Sequence, residues 1–257
     1  MNFAPSCKNE VFCKMNNKER PKQLAYGRNN VLACFDAGIV LEVFLQEGFK
    51  DEKIEKIARK QNLNITYLKK KELNDLTGGN HQGVAAEVKS FRYLTIEEVL
   101  IAASKVSNPI ILIVDEIKDP HNLGAIIRSA EAFGVTGIIM KKDRQVGITP
   151  TVMKVATGAQ NNILISQVVN LNQALLKLKK AGFWIVSTDL GATKNVGELN
   201  FDFKTALIVG NEEKGVSPLL TKTADYVVKI PMLGKTNSLN VSVATGIILA
   251  LIRQKQL

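Results

Sequence analysis

Three polar stretches in the second half of the chain carry the residues with the clearest capacity for chemistry. They read DEIKDPHNLGAIIRSAEAFG at 115–134, IVGNEEKG at 208–215 and PMLGKTNSLNVSVATGIILALI at 231–252. Asparagine, serine and backbone amide groups can hold a ligand in place, but they are poor proton-transfer groups. The residue types of the third stretch therefore suit the holding of a ligand, and they leave open which residues carry the reaction.

Arg128 is the most unusual polar residue of the first stretch. It belongs to a helical pattern with an apolar buried face, and it projects away from the centre of that face. The apolar positions are Leu123, Ile126, Ile127, Ala130 and Phe133. An exposed arginine on an amphipathic helix is the commoner explanation, and Asn122 is most simply an N-cap. The location of this helix directly after a strand favours a functional role instead.

The second stretch has glycines at the separation found in a phosphate-binding P-loop. However, Val216 rather than lysine follows Gly215, and two carboxylates inside the loop would repel phosphate groups. No G-x-G-x-x-G pattern follows any predicted strand. ATP and NAD chemistry are therefore poorly supported.

Hydrolytic and metal chemistry are also disfavoured. The chain has two histidines, His81 in a predicted turn and His121 at a predicted helix start, and it lacks a nucleophile elbow. Its three cysteines have spacings that match no metal knuckle: Cys7, Cys13 and Cys34. We expect no bound metal, and free thiols in a reducing cytoplasm.

The elements around the three stretches alternate between strand and helix patterns. Strands are predicted at 110–115, 137–140, 162–166, 183–188, 205–210 and 226–230, and helices at 122–134, 149–157, 170–182, 217–223 and 239–254. Such alternation, with apolar runs such as IILIVD, predicts an α/β fold with a mostly parallel sheet covered on both faces. Ligands bind beyond the carboxyl ends of strands in such sheets, and all three stretches follow strands.

Four segments are predicted along the chain. Residues 1–22 are a flexible basic extension, and 23–91 form a small α/β domain with strands at 40–46, 65–68 and 83–91. Residues 92–108 are a linker with a helix from Thr95 to Ser104, and 109–257 form the larger domain. A short helix capped by Asn29 and Asn30 is expected near the start of the small domain.

The net charge of +10 points to an anionic partner, with nucleic acid the first candidate. Residues 1–28 have a surplus of four basic groups and 109–257 a surplus of six, whereas 29–108 are balanced. A solvated surface that keeps the protein soluble would give the same charge. No apolar run is long enough to span a bilayer, and no signal peptide is recognisable.

Taken together, the three stretches resemble the SpoU (TrmH-like) branch of the SPOUT RNA methyltransferases. The matching segments are DPHNLGAIIRSAEAFG, LIVGNEEKG and IPMLGKTNSLNVSVA, in the family's order. Upstream, YGRNNVL and HQGVAAEV are similar to that family's ribosomal protein L30e-like RNA-binding domain. The resemblance covers residues 24–254 and implies a deep C-terminal trefoil knot, in which the third stretch forms a tight, largely buried cradle.

The resemblance also implies a site for S-adenosylmethionine without metal. Backbone groups around Gly210, Ile230 and Leu239 would hold this donor, and Thr188 and Gly191 would line its pocket. Ser238 and Asn240 would fix the geometry of the site, with Ser238 also touching the donor.

The acceptor side follows from the same resemblance. Arg128 would activate a ribose 2′-hydroxyl while contacting substrate phosphate, Asn122 and Glu212 would complete the site, and a homodimer would place the site at its interface. Because guanidinium is an unlikely base, positioning and electrostatics remain open beside transient base catalysis. Glu213, where the family often has glycine, and the Thr245-Gly246 pair inside the last helix depart from the pattern.

The function expected from these residues is methyl transfer from S-adenosylmethionine to a ribose 2′-hydroxyl, with a guanosine of large-subunit (23S) ribosomal RNA as the preferred target. The alternatives are a transfer RNA 2′-O-methyltransferase and a catalytically silent RNA-binding protein. All three interpretations predict an RNA partner and a cytoplasmic protein.

Overall fold

The computed structural model describes residues 22–211, 213–235 and 238–257. They divide into two compact units, one of 22–92 together with Ile148–Lys154, the other of Tyr93–Gly147 together with Val155–Leu257. Of the predicted basic extension 1–22, all but Lys22 lies outside the described residues. Among the helices of the described ranges, none is long and apolar enough to cross a membrane.

The first unit is built on a four-stranded sheet of order β1-β4-β2-β3. Strand β4 runs antiparallel to β1 and β2, and β2 runs parallel to β3. Its elements are β1 (Lys22–Tyr26), α1 (Arg28–Asp36), β2 (Val40–Gln46), α2 (Glu52–Lys60), β3 (Asn64–Leu68), α3 (Lys70–Thr77) and β4 (Val84–Lys89).

Helix α1 begins one residue after Gly27, which has a φ of 85°, so the predicted cap by Asn29 and Asn30 is wrong. Helix α2 has a side-chain cap, because Asp51 accepts a hydrogen bond from the Ile54 amide at 3.2 Å. The same carboxylate also accepts from Arg28 Nε at 2.6 Å. Burial opposes ionisation of Asp51, but these two hydrogen bonds outweigh it and lower the pKa of the carboxyl. The cap thereby also connects the first turns of α1 and α2.

The second unit is built on a seven-stranded sheet of order β7-β6-β5-β10-β8-β11-β9, in which every recorded strand pair is parallel. Its strands are β5 (Ile110–Val114), β6 (Gly137–Lys141), β7 (Leu164–Val168), β8 (Trp184–Thr188), β9 (Lys194–Asn195), β10 (Thr205–Val209) and β11 (Tyr226–Lys229). Its helices are α4 (Ile96–Ala103), α5 (Pro120–Ala132), α7 (Leu171–Lys180), α8 (Pro218–Thr223) and α9 (Val241–Gln256), whereas α6 (Pro150–Ala156) lies mostly in the segment Ile148–Lys154 of the first unit. The mostly parallel α/β architecture predicted from the alternating pattern is confirmed.

The segment predicted to be a linker belongs to the core of this unit. Leu94, Ile96 and Val99 are buried in the same cluster as the central strands, and the Leu94 amide donates to the Ile165 carbonyl at 2.9 Å. Thr95 caps α4 by accepting from the Glu98 amide at 3.2 Å. The apolar face of α4 needs burial, and the second sheet supplies it.

Helix α9 packs along α5. Arg253 near its end donates to the carbonyls of Phe133 and Gly134, each at 2.9 Å, and desolvation there lowers the pKa of its guanidinium. Nearer its start, a Cβ added to Gly246 would lie 3.6 Å from Ser129 Oγ, an ordinary contact. The pairing of α5 with α9 brings the first and third polar stretches together.

Candidate active site

A cavity of about 280 Å³ opens at the carboxyl ends of β8, β10 and β11. Ligand pockets in proteins usually measure roughly 300–1,000 Å³, so the cavity suits a small ligand. Its walls combine apolar side chains with backbone of the second and third polar stretches. Lining residues of this cavity include Thr188, Gly210, Asn211, Gly215, Ile230, Ser238, Leu239 and Thr245.

Five of the six residues predicted to hold the donor line this cavity: Thr188, Gly210, Ile230, Ser238 and Leu239. Gly191 lies outside the lining; it is exposed, and its amide donates to Asp189 Oδ1 at 2.7 Å. Asp189 does line the cavity, so Gly191 supports its wall through one hydrogen bond.

The loop that follows β10 is closed on itself by Asn211. The backbones of Asn211 and Gly215 exchange two hydrogen bonds of 3.0 and 2.9 Å, and Asn211 Oδ1 accepts from the amides of Glu213 and Lys214. A Cβ on Gly210 would fall within the backbone of Gly215 and Val216. Only glycine therefore fits at position 210, which the sequence stretch GNEEKG did not by itself reveal.

The loop that follows β5 is held by groups from several other elements. Asn211 Nδ2 donates to the Glu116 carbonyl at 3.0 Å, and Gln145 Oε1 accepts from the Glu116 amide at 3.0 Å. The buried Asp115 accepts from the Ser217 amide at 3.0 Å. Glu116 itself has a φ of 58°, a left-handed conformation that these contacts maintain. The loop after β10 and the loop that leads into α5 are thus one hydrogen-bonded assembly.

Helix α5 begins earlier than the sequence indicates. Asp119 is its N-cap, accepting from the His121 amide at 2.9 Å, so the interpretation of Asn122 as the cap is wrong. The hydrogen bond from the His121 amide lowers the pKa of Asp119. Pro120 occupies the first helical position, where the absence of an amide proton has no cost.

Asn122 is consequently available for a contact with the third stretch. Asn240 Nδ2 donates to Asn122 Oδ1 at 2.9 Å, while Asn240 Oδ1 caps α9 by accepting from the amides of Ser242 and Val243. Both ends of the Asn240 amide are therefore used. One asparagine fixes the start of α9 and joins it to the start of α5.

The other predicted catalytic residues have no recorded hydrogen bond across the site like that between Asn122 and Asn240, or lie outside the described residues. Arg128 is exposed on α5, a turn and a half beyond Asn122. Ser238 and Asn240 are exposed as well, and Glu212 lies outside the described residues. In the single chain the third stretch is not the buried cradle expected from the sequence, because its described residues from 231 to 240 are exposed or half-buried.

Helix α9 contributes cavity residues that the sequence analysis missed. Val241, Ala244, Thr245 and Ile248 line the wall, at the spacing of one helical face. Thr245 is fully buried, and its hydroxyl donates to the Val241 carbonyl at 2.7 Å. The 241/244/245/248 period was the available signal, but the same period also describes an ordinary core helix.

Within the ranges that the structure describes, no group of three or more His, Cys, Asp or Glu side chains is arranged to hold a metal ion. The charged side chains of the cavity wall are Asp189, Glu213, Lys214 and Lys229. The cavity can therefore offer both signs of charge around a mainly apolar interior.

The described residues thus form an α/β unit with a parallel sheet and a small-molecule cavity at its carboxyl edge, and a second α/β unit with a mixed sheet. Residues 109–250 match the model of the SpoU rRNA methylase family, and residues 24–94 match the model described as RNA 2′-O ribose methyltransferase substrate binding. The chain belongs to the SpoU methylase family of RNA methyltransferases, as the resemblance predicted.

Named relatives agree with this assignment. YacO of Bacillus subtilis, assigned to the TrmH family of tRNA/rRNA methyltransferases, is 39% identical over 80% of this chain and 83% of its own length. The 23S rRNA (guanosine-2′-O-)-methyltransferase RlmB of Coxiella burnetii is 37% identical over 87% of this chain and 92% of its own. The AdoMet-bound rRNA methyltransferase of Sinorhizobium meliloti shares the fold, with a TM-score of 0.63, 24% identity and coverage of 99% and 98%.

Proposed function

We propose that this protein transfers a methyl group from S-adenosylmethionine to the 2′-hydroxyl of a guanosine ribose in 23S ribosomal RNA. The observation that carries the proposal is a pair of hydrogen bonds. They join residues beside the cavity that would hold the donor to helix α5, which carries Arg128, and to the loop that leads into it. The first runs from Asn240 to Asn122, and the second runs from Asn211 to Glu116.

The residues of the cavity fit the donor. Because Gly210 has no Cβ, the backbones of Gly210 and Gly215 approach each other closely, and both residues contribute backbone to the cavity wall. Leu239 and Ile248 supply apolar surface for an adenine ring, and Asp189 supplies an acceptor for ribose hydroxyls. When bound, S-adenosylmethionine supplies an electrophilic methyl group on a positively charged sulfur.

The protein must bring the ribose oxygen in line with that methyl group. The 2′-oxygen forms the new bond to carbon, the carbon–sulfur bond breaks, and the hydroxyl proton leaves to solvent or to a nearby acceptor. Alignment can supply much of the rate, and Arg128 contributes by holding a substrate phosphate and stabilising the developing charge on the oxygen. Its exposure on α5 leaves the guanidinium open to RNA.

The other predicted catalytic residues act by holding geometry. Asn122 and Asn240, joined at 2.9 Å, keep the start of α5 against the start of α9. Ser238, in the cavity wall, would contact the donor. Glu212, which lies outside the described residues, is assigned to the acceptor side from the family resemblance. In this scheme Arg128 touches substrate, whereas the two asparagines position the elements around it.

The proposal includes a homodimer in which the third stretch and α9 are covered by a second copy. Val243 and Ile247, one helical turn apart on α9, expose 51% and 36% of their area, and Leu233 is fully exposed. Burial against a partner would supply the enclosure that the resemblance predicts for this stretch. Light scattering on the purified protein tests the dimer; a stable, active monomer would contradict it.

A deep trefoil knot is part of the same proposal, with the third stretch threaded through a preceding loop. The family resemblance carries this part of the proposal, and it is compatible with the packing of α9 on α5 and with the 3.1 Å hydrogen bond from Gln256 Nε2 to the Phe201 carbonyl. Pulling the chain from both ends in an optical trap should leave a contour length shorter than that of an unknotted chain. The full extended length would contradict the knot.

The first unit is proposed to recognise RNA through an L30e-like domain. The match of residues 24–94 to a substrate-binding family model supports this role. The balanced charge of residues 29–108 favours recognition by shape and base contacts over a phosphate field. A cytoplasmic location follows from an RNA substrate and agrees with the free, buried thiol of Cys34, whose burial raises the pKa to about 11.

Methylation mapping distinguishes the targets. Ribosomal and transfer RNA from cells with and without the gene are compared for protected ribose 2′-positions. A guanosine of 23S rRNA that loses its methyl group supports the proposal, as the name of the Coxiella burnetii relative suggests. Loss at a transfer RNA ribose would favour the tRNA alternative, and no change in either RNA would favour a silent RNA-binding protein.

A further inference from the structure

Three aromatic rings lie at the amino edge of the seven-stranded sheet, opposite the edge that holds the cavity. Trp184 begins β8 and Tyr226 begins β11, and their ring centroids are 5.6 Å apart with an interplanar angle of 25°. Phe203, just before β10, lies 5.7 Å from Trp184 and 6.0 Å from Tyr226. We call Trp184, Phe203 and Tyr226 the aromatic platform.

The platform keeps part of its aromatic surface in contact with solvent, chiefly on Trp184, while Phe203 and Tyr226 are half-buried. Trp184 exposes 46% of its area, although Phe201, which packs behind Phe203 at 5.8 Å, is fully buried. Indole has the largest apolar area of any side chain, so exposing nearly half of it forgoes a favourable burial. Single exposed apolar residues are common, but three rings in mutual contact form a continuous surface.

Lysines surround this surface. Lys194 Nζ lies 5.6 Å from the centroid of the Tyr226 ring. The Lys204 carbonyl accepts a hydrogen bond from the Trp184 amide, and its Nζ donates to the Ala181 carbonyl at 3.4 Å, three residues before Trp184. The platform segments 179–184, 194, 202–204 and 225–226 contain four lysines and two aspartates, and one of those aspartates, Asp225, is paired with Lys179 at 2.7 Å. The local charge is therefore positive.

We propose that the aromatic platform binds an unpaired base of the RNA substrate, which stacks on Trp184 while Lys194 meets the adjoining phosphate. Aromatic stacking combined with lysines is the means by which proteins hold single-stranded nucleic acid, and every base has a π-face to offer. Lysine is depleted from protein–protein interfaces, so its presence here favours a polyanion over a second protein. The inference rests on the proposed function only in taking RNA as the substrate.

The platform is separate from the site of methyl transfer. Trp184 and Thr188 are the first and last residues of β8, so their Cα atoms are roughly 13 Å apart at the usual rise of a strand. A base on Trp184 therefore belongs to a different nucleotide from the methylated one. The platform would add affinity for RNA without touching the donor.

The chain contains a single tryptophan, so intrinsic tryptophan fluorescence reports on Trp184 alone. The full-length protein is titrated with a short unstructured oligoribonucleotide, and then with the same strand annealed to its complement. We expect strong quenching by the single strand and weak quenching by the duplex. Anisotropy of the labelled single strand gives the affinity independently of the tryptophan.

Three variants sharpen the test. Trp184→Ala is expected to weaken binding of the single strand about 5- to 150-fold, the range for losing one stacked base. Trp184→Phe keeps a ring and should retain most of the affinity. Ile101→Ala, at a site on α4 that is 53% exposed and apolar, is the matched control and should change nothing.

Two results would overturn the inference. The first is RNA binding without quenching and with unchanged affinity in Trp184→Ala; the second is a blue shift that grows with protein concentration without RNA, which would mean that a second copy covers the platform. If the alanine variant fails to fold, the phenylalanine variant and the wild-type titration still decide. Intact methylation without quenching of Trp184 fluorescence by RNA refutes this inference alone. Binding of donor and RNA without methyl transfer refutes the proposed function.

Discussion

The two edges of the seven-stranded sheet differ in chemistry although the same strands build both. At the carboxyl edge, β8 and β11 end at Thr188 and Lys229 beside a cavity whose wall combines apolar side chains with backbone and a few polar groups. At the amino edge, the same strands begin with the stacked rings of Trp184 and Tyr226. In parallel sheets all carboxyl ends meet at one edge, so this separation follows from the topology. The carboxyl edge is suited to positioning a small ligand, and the amino edge is suited to stacking against an aromatic group.

The largest effect is expected at the carboxyl edge, from Arg128→Ala. Loss of the guanidinium should lower the single-turnover methylation rate about 100- to 1,000-fold, the usual effect of removing a group that stabilises developing charge. Donor affinity, measured by calorimetry, should barely change because Arg128 is not part of the cavity wall.

Arg128→Lys separates charge from geometry. Lysine keeps the positive charge but loses the planar fork, so we expect it to be nearly as inactive as alanine. Arg144→Ala, which removes another exposed arginine, is the matched control and should keep its rate. Near-normal methylation by Arg128→Ala would mean that Arg128 is an ordinary surface arginine.

Gly210→Ala should have the next largest effect, on donor binding. The added Cβ would fall within the backbone of Gly215 and Val216, so the loop after β10 must move. We expect the donor dissociation constant to rise on the order of 100-fold, equivalent to about 2.7 kcal/mol. Calorimetry with S-adenosylhomocysteine measures it, and unchanged binding would show that this loop does not hold the donor.

Asn211→Asp tests the joining of the two loops. The carboxylate keeps the acceptor for the amides of Glu213 and Lys214 but cannot donate to the Glu116 carbonyl. Leaving a carbonyl without its partner costs about 1–3 kcal/mol, so kcat/KM for RNA should fall about 5- to 150-fold with a smaller change in donor affinity. Equal losses in both quantities would mean that Asn211 serves the donor loop alone.

Gly246→Ala should have the smallest effect and an opposite sign. A Cβ there makes an ordinary 3.6 Å contact with Ser129 Oγ, and replacing a helical glycine removes a penalty of about 1 kcal/mol. The melting temperature should rise by a few degrees while donor binding stays unchanged. A marked loss of stability would show that α5 and α9 tolerate no added atom at their contact.

The sequence predicted the elements of the parallel sheet because long apolar runs such as Ile110–Val114 are buried on both faces. It missed β1 and β9, since β1 has mixed polarity and β9 has two residues. It also misassigned the cap of α5, because Asp119 and Asn122 are equally good capping residues and only their geometry separates them.

Most of the predicted donor residues were found at one cavity, because motif order along parallel strands places their loops at one edge. The contribution of α9 and the contact between Asn211 and Glu116 could not be predicted. The contact from Asn211 to Glu116 joins residues 95 positions apart. The apolar period of α9 is shared with any buried helix, so it does not indicate a cavity wall. The aromatic platform has no sequence signal either, since its three rings come from three separate segments.

The most direct test of the central claim uses purified protein, ribosomal RNA and a donor labelled in its methyl group. We expect transfer of the label to the 2′-oxygen of one guanosine ribose in 23S rRNA, at a rate that Arg128→Ala lowers about 100- to 1,000-fold while calorimetry shows its donor binding intact. Donor and RNA binding without transfer of the label by the wild-type protein, to this RNA or to transfer RNA, would contradict it.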